Sequence, residues 1–109
     1  QRQMCIRDRH ELLCSLDDVI REASRCLKSK GKMYMVHRPN RLVDIFDTMR
    51  KYHLEPKRMR LVYPYVNKAA NMVLIEAVKG GNSQLIVEEP LIVYKTDGTY
   101  TDALLKMYE

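Results

Sequence analysis

Lys32 to Phe46 reads KMYMVHRPNRLVDIF, and this stretch decides the fold. Met33, Tyr34, Met35 and Val36 form a short apolar run with β-forming character, the pattern of a strand buried on both faces. The run stops at His37-Arg38-Pro39. Pro39 suits a first helical turn, where its missing N–H breaks no bond. Leu42, Ile45, Phe46 and Met49 then recur at helical spacing, with Val43 and Tyr52 flanking, so a helix is expected from Pro39 to about His53. Strand, short polar loop, helix is the repeating unit of an open α/β sheet. Ligands in such sheets bind beyond the carboxyl ends of the strands. His37, Arg38 and Asn40 therefore stand at an expected functional edge.

Upstream, Ser15-Leu16-Asp17-Asp18 has the form of a capping box, and its two acids complement the positive end of a helix. Leu16, Val19, Ile20, Ala23 and Leu27 give that helix an apolar stripe opposite Arg21, Glu22, Arg25 and Lys28, and Gly31 is the expected stop. Gln1 to Asp8 shows neither helical nor strand periodicity and is read as a leader foreign to the domain, which is taken as 9–109. Downstream, Pro56 is expected to break the chain. Lys57 to Tyr63 alternates, with Met59, Leu61 and Tyr63 on one face and Arg58 and Arg60 on the other. Asn71 to Lys79 is almost wholly apolar and reads as the strongest strand. The loop between them, Pro64 to Ala70, is shorter than the dozen or more residues a parallel crossover needs, so these two strands are expected to pair antiparallel. After the Gly80-Gly81-Asn82 turn, Gln84 to Tyr94 reads as extended but interrupted by Pro90, an edge strand at most. Asp97-Gly98 is a turn. Thr101-Asp102 caps a short final helix with Ala103, Leu104 and Met107 inward.

The 109 residues suffice for one domain or part of one, and 46% apolar with 30% charged residues describes a globular chain. The net charge of +5 permits a nucleic-acid partner without requiring one. Cys5, Cys14 and Cys26 show no zinc-type spacing and no disulfide framework, which fits reduced thiols in a cytoplasmic setting. No apolar run reaches the ~18 residues of a membrane span, and no apolar signal core stands at the start of the chain. No metal site is expected. The methionines read as core filler.

The order of elements, with its closing antiparallel pair, points to the C-terminal half of a Rossmann-like class I methyltransferase sheet. His10-Glu11, SLDDVI (15–20), the block KMYMVHRPNRLVDIFDTMRKYHLEPKRMRLVYP (32–64), NMVLIEAVKGG (71–81) and EEPLIVYKTDGTYT (88–101) together resemble the C-terminal half of the tRNA(valine) adenine-N6 methyltransferase family. The resemblance covers about Arg9 to Glu109. It implies an S-adenosylmethionine-dependent enzyme that methylates the exocyclic amine of an adenine in the tRNA anticodon loop. Such enzymes bind the cofactor through a glycine-rich loop after the first strand and hold the amine with an Asn-Pro-Pro-Tyr motif after the fourth. This sequence contains neither. Gly80-Gly81 follows a late strand, and Tyr63-Pro64-Tyr65 lacks the Asn and reads as a strand end. The chain is thus expected to lack catalytic and cofactor-binding residues of its own and to be inactive alone, with the missing N-terminal half of the domain and tRNA as partners.

The candidates that remain are for substrate or RNA. His37 and Arg38 could stack on a base or pair with a phosphate; alternatively, His37 caps the helix and Arg38 bonds an acid elsewhere in the domain. Lys57, Arg58 and Arg60, with Arg50 and Lys51, form the densest basic cluster and could track an RNA backbone; alternatively, they are a solvated face whose charges protect a sheet edge. A non-enzymatic basic α/β module that binds RNA or a protein partner is the competing functional class.

Overall fold

The computed structural model describes residues 15–107. The expectations placed on the leader 1–8, on Cys5 and Cys14, and on His10 lie outside those residues. Helix α1 (Leu16–Cys26) leads into strand β1 (Lys32–His37), a 3-10 turn (Pro39–Arg41) and helix α2 (Leu42–Lys51). Strands β2 (Leu54–Tyr63) and β3 (Met72–Lys79) follow, then the two-residue strands β4 (Ile86–Val87) and β5 (Leu91–Ile92), and helix α3 (Asp102–Met107).

The five strands form one mixed sheet in the order β1-β3-β2-β4, with β5 also on β2. β3 runs antiparallel to both neighbours, pairing Met35 with Ile75 and Met59 with Ile75. β1 and β2 are therefore parallel, with a reversed strand inserted between them. The expected antiparallel pairing of β2 and β3 is present. β4 and β5 pair parallel with β2, so the stretch around Pro90 does supply an edge.

α1 begins as its capping box dictates. The Ser15 hydroxyl accepts from Asp18 N–H (3.2 Å), and the Asp18 carboxylate accepts from Ser15 N–H (3.1 Å). The helix ends at Leu27 rather than Gly31, and the left-handed residue in the connection is Lys30 (φ 69°). A lysine from the sheet takes over the role expected of the glycine: Lys79 Nζ donates to the carbonyls of Ser24 and Leu27 (2.9 Å to the latter), placing a cation on the negative end of α1. The 3-10 turn that leads into α2 opens on Pro39, and α2 closes before His53, which takes the left-handed conformation (φ 64°) that stops a helix.

The core lies on one face of the sheet. Ile20 of α1, Ile45 and Met49 of α2, Leu54 and Met59 of β2, and Val73, Ile75 and Ala77 of β3 are buried in one cluster, flanked by Met33, Met35 and Phe46. The expectation that β1 is buried on both faces is corrected here. Met33 and Met35 are half-buried against the helices, while Tyr34 is 69% and Val36 55% exposed on the opposite face. On that second face α3 comes beside Arg60, where Ala103, Lys106 and Met107 share a cleft with it, while Tyr34 and Val36 of β1 stay open. Two smaller corrections follow. Pro56 does not break the chain; it lies buried inside β2 at a register shift between Pro56 and Arg58, where a strand can accommodate a residue without an N–H. In α3 only Leu104 is half-buried. Ala103 and Met107 are exposed and border a cleft shared with Arg60 and Leu91.

Candidate nucleic-acid interface

The sheet has two ends of different chemistry. β2 begins and β3 finishes at one end; β1 and β2 both terminate at the other, at His37 and Tyr63.

At the first end Arg50 and Lys51 close α2. Arg50 donates to Glu55 (2.8 Å) and reaches Ser83 Oγ (3.4 Å). Lys51 donates to Asp17 (2.9 Å), which also accepts from the Tyr52 hydroxyl (2.6 Å). The Tyr52 hydrogen bond, followed by the Lys51 one, holds the Asp17 carboxyl below the ordinary aspartate range. Lys57 Nζ is spent on the Asn82 carbonyl (2.7 Å). A cleft of about 370 Å³ lies here, lined by Arg50, His53, Glu55, Gly80, Gly81 and Ser83. It is not a phosphate cradle. Gly80 N–H donates to His53 O (2.9 Å) and Gly81 N–H to Val78 O (3.2 Å), so the amides that would hold an anion are already used, and Glu55 adds a negative wall.

Arg58 and Arg60 stand between the ends, on the open face of β2. Arg58 binds Glu88 through both Nε (3.0 Å) and Nη2, and Glu76 through Nη1 (3.4 Å). Arg60 lies 4.0 Å from the same Glu88, and its Nε is buried without a partner. Glu76 also faces Lys32 at 3.7 Å. The face thus carries a cross-strand ladder of matched charges. The basic run expected to track RNA is largely neutralised by acids 18 and 30 residues away in sequence.

At the second end the cations are free. His37 closes β1, and its Nδ1 lies 2.8 Å from the Arg38 N, whose N–H it can accept, and 3.2 Å from the Arg38 carbonyl. The imidazole thus caps the chain where it turns into Pro39, while its outer nitrogen stays available. Among the described residues no carboxylate lies within ion-pair distance of Arg38, Lys68 or Lys95. Beside Lys68 and Lys95, Tyr65 stacks on Tyr94 and Tyr94 on Tyr100, each pair with ring centroids 5.4 Å apart and planes inclined by 29° and 22°. The six cations and one imidazole singled out in the sequence therefore do not form one patch. His37 and Arg38 belong to the carboxyl end, Arg50, Lys51 and Lys57 to the opposite end, and Arg58 and Arg60 to the ladder. Tyr94 and Tyr100 went unnoticed. Their one signal was the aromatic-cation pattern Tyr94-Lys95 and Tyr100 around the Asp97-Gly98 turn, which brings together two rings six positions apart.

Among the described residues no group of His, Cys, Asp or Glu could hold a metal ion, and no helix is long and apolar enough to cross a membrane. Cys26 is an exposed free thiol.

No protein-family model matches the sequence, and no curated protein matches it significantly. Among solved structures the chain is similar to a predicted O-methyltransferase from Agrobacterium tumefaciens, with a TM-score of 0.77 and 25% sequence identity over 84% of this chain. The match covers 44% of that protein, so this chain spans less than half its length. The fold is a methyltransferase fold: a mixed α/β sheet with a reversed strand between two parallel ones.

Proposed function

We propose that this chain is part of an S-adenosylmethionine-dependent methyltransferase acting on the exocyclic amine of an adenine in tRNA, in the cytoplasm. The observation that carries the reading is the sheet order with β3 reversed between β1 and β2, similar to a methyltransferase, in a chain whose 32–64 and 71–81 blocks resemble the tRNA adenine-N6 family. The free cations and stacked rings at the carboxyl end suit an RNA acceptor. The described residues do not fit the cofactor: the glycine pair has no free amide and borders Glu55. The cofactor and the reacting base therefore belong to a further part of the domain, which continues the sheet along the free edge of β1. The role of this portion is to complete the sheet and to bind the acceptor.

The similarity to a predicted O-methyltransferase favours a second reading, transfer to an oxygen. The test is to express the protein from its full reading frame, supply it with S-adenosylmethionine and transcribed tRNA, and analyse the nucleosides by mass spectrometry. N6-methyladenosine is the expected product. An O-methylated product, or no methylated nucleoside alongside methylation of a small hydroxylated acceptor, overturns the proposal.

A further inference from the structure

The geometry points to the Tyr65–Tyr94–Tyr100 stack as a base-stacking platform for single-stranded RNA, with Lys68 and Lys95 holding the phosphates beside it. The inference rests on the reading of RNA as the methyl acceptor and extends it by naming a contact site.

Tyr65 and Tyr94 are half-buried and Tyr100 is exposed, all three outside the core cluster. They are nonetheless fixed by backbone bonds. Val93 N–H donates to Tyr63 O (2.8 Å) and Tyr94 N–H to Pro64 O (2.9 Å), which ties the two tyrosine-bearing segments together. Tyr94 and Tyr100 face each other across an isolated antiparallel bridge, in a hairpin closed by Lys95 N–H to Thr99 O (2.6 Å) and Thr101 N–H to Val93 O (2.9 Å). Gly98 (φ 89°) makes the turn, and the Asp97 carboxylate is turned inward onto the N–H and hydroxyl of Thr99. The platform is therefore ordered before any ligand arrives, which lowers the entropic cost of binding. Tyr100 ends the stack and is 51% exposed. A further planar ring can extend a column that already contains three.

Charge selects the ligand. Several cations elsewhere on the molecule are matched: Arg50 with Glu55, Lys51 with Asp17, Arg58 with Glu76 and Glu88. Lys68 lies in the turn closed by its own N–H on Tyr65 O (3.1 Å), and Lys95 adjoins Tyr94; both are exposed. Stacked rings flanked by free ammonium groups are the combination that binds single strands without base-specific hydrogen bonds. A duplex hides its ring faces, so the platform favours unpaired nucleotides such as those of a loop.

The test uses the full chain and a short unstructured oligoribonucleotide carrying 2-aminopurine, followed by fluorescence polarisation and by emission. The unmodified protein binds and quenches the 2-aminopurine. Tyr100→Ala weakens binding about 5- to 100-fold, the loss expected for one stacked base, and abolishes the quench. Tyr100→Phe, which keeps the ring, stays within about 2-fold. Lys68→Gln and Lys95→Gln each reduce the slope of log affinity against log salt by about 0.7. Circular dichroism of each variant reports the fold independently. An unchanged affinity in Tyr100→Ala, or no binding by the unmodified chain at low salt, overturns the platform. The nucleoside assay separates the two ideas. RNA binding that depends on Tyr100 without N6-methyladenosine sinks the function alone, and N6-methyladenosine with Tyr100-independent binding sinks the platform alone.

Discussion

The two faces of the sheet are built on opposite principles. One is closed by α1 and α2 over Val73, Ile75, Ala77 and Met59, with the charged end of Lys79 drawn in to satisfy the last carbonyls of α1. The other has α3 beside Arg60 at the β2 side and carries the cross-strand ion pairs of Lys32, Glu76, Arg58 and Glu88, with Tyr34 and Val36 in the open. Stability should therefore reside almost entirely on the first face. Exposed ion pairs contribute little, whereas buried apolar groups and buried hydrogen-bonded polar groups contribute a great deal.

The sharpest way to break this contrast is a matched pair of truncations. Ile75→Ala is expected to cost about 2–5 kcal/mol in urea denaturation, and Tyr34→Ser on the other face under about 0.5 kcal/mol. Equal losses would refute the division. Lys79→Met tests whether the part-buried ammonium belongs to the closed face. It leaves two helix-end carbonyls without their donor and is expected to cost about 1–3 kcal/mol. Ser15→Ala removes the cap that starts the same helix, for about 1 kcal/mol.

Acid sharpens the comparison further. The Asp17 carboxyl is lowered by Tyr52 and Lys51, so its folded pKa lies below its unfolded value, near 3.9. The stability it contributes is present above that value and is lost as pH falls through the lowered one. A denaturation series from neutral pH down through the acid range should show this loss, and Asp17→Asn should remove that part of the pH dependence. The smallest expected effect on stability belongs to the open edge. Among the described residues β1 has no partner strand on its outer side, and Val36→Lys should leave the melting midpoint nearly unchanged while shifting sedimentation velocity toward monomer. Identical sedimentation at all concentrations for both proteins would count against an adhesive edge.

These contrasts explain which parts of the molecule were legible in the sequence. Local rules worked where local physics decides. The Ser15–Asp18 box, the stripe from Leu16 to Ala23, the Pro39 opening of α2 and the antiparallel return of β3 all follow from residues within a few positions of one another, or from a loop length. The open face was misread because an apolar run of four cannot distinguish a strand covered twice from a strand covered once. The basic cluster was misread for a different reason. Arg58 and Arg60 look free until Glu88, far along the chain, is folded against them. The tyrosine column was missed because stacking joins Tyr65 to Tyr94 across a parallel strand pairing that two-residue strands barely announce.

The register shift in β2 has a consequence of its own. Leu54 and Pro56 face the helices from even positions, and Met59 and Leu61 from odd ones; Pro56 stands opposite Ala77, while Arg58, two residues on, stands opposite Glu76. Lys57 is the supernumerary residue, and it acts as a dislocation does in a crystal lattice. It lets two blocks of opposite phase share one plane. No point substitution can heal such a defect, because side-chain identity does not set the count. Removing Lys57 would force one block to turn its apolar side to water or to slide bodily by a residue. The phase of the whole second half of the strand, and with it the placement of Tyr63 and the loop that carries Tyr65, is thus anchored at a single extra peptide unit.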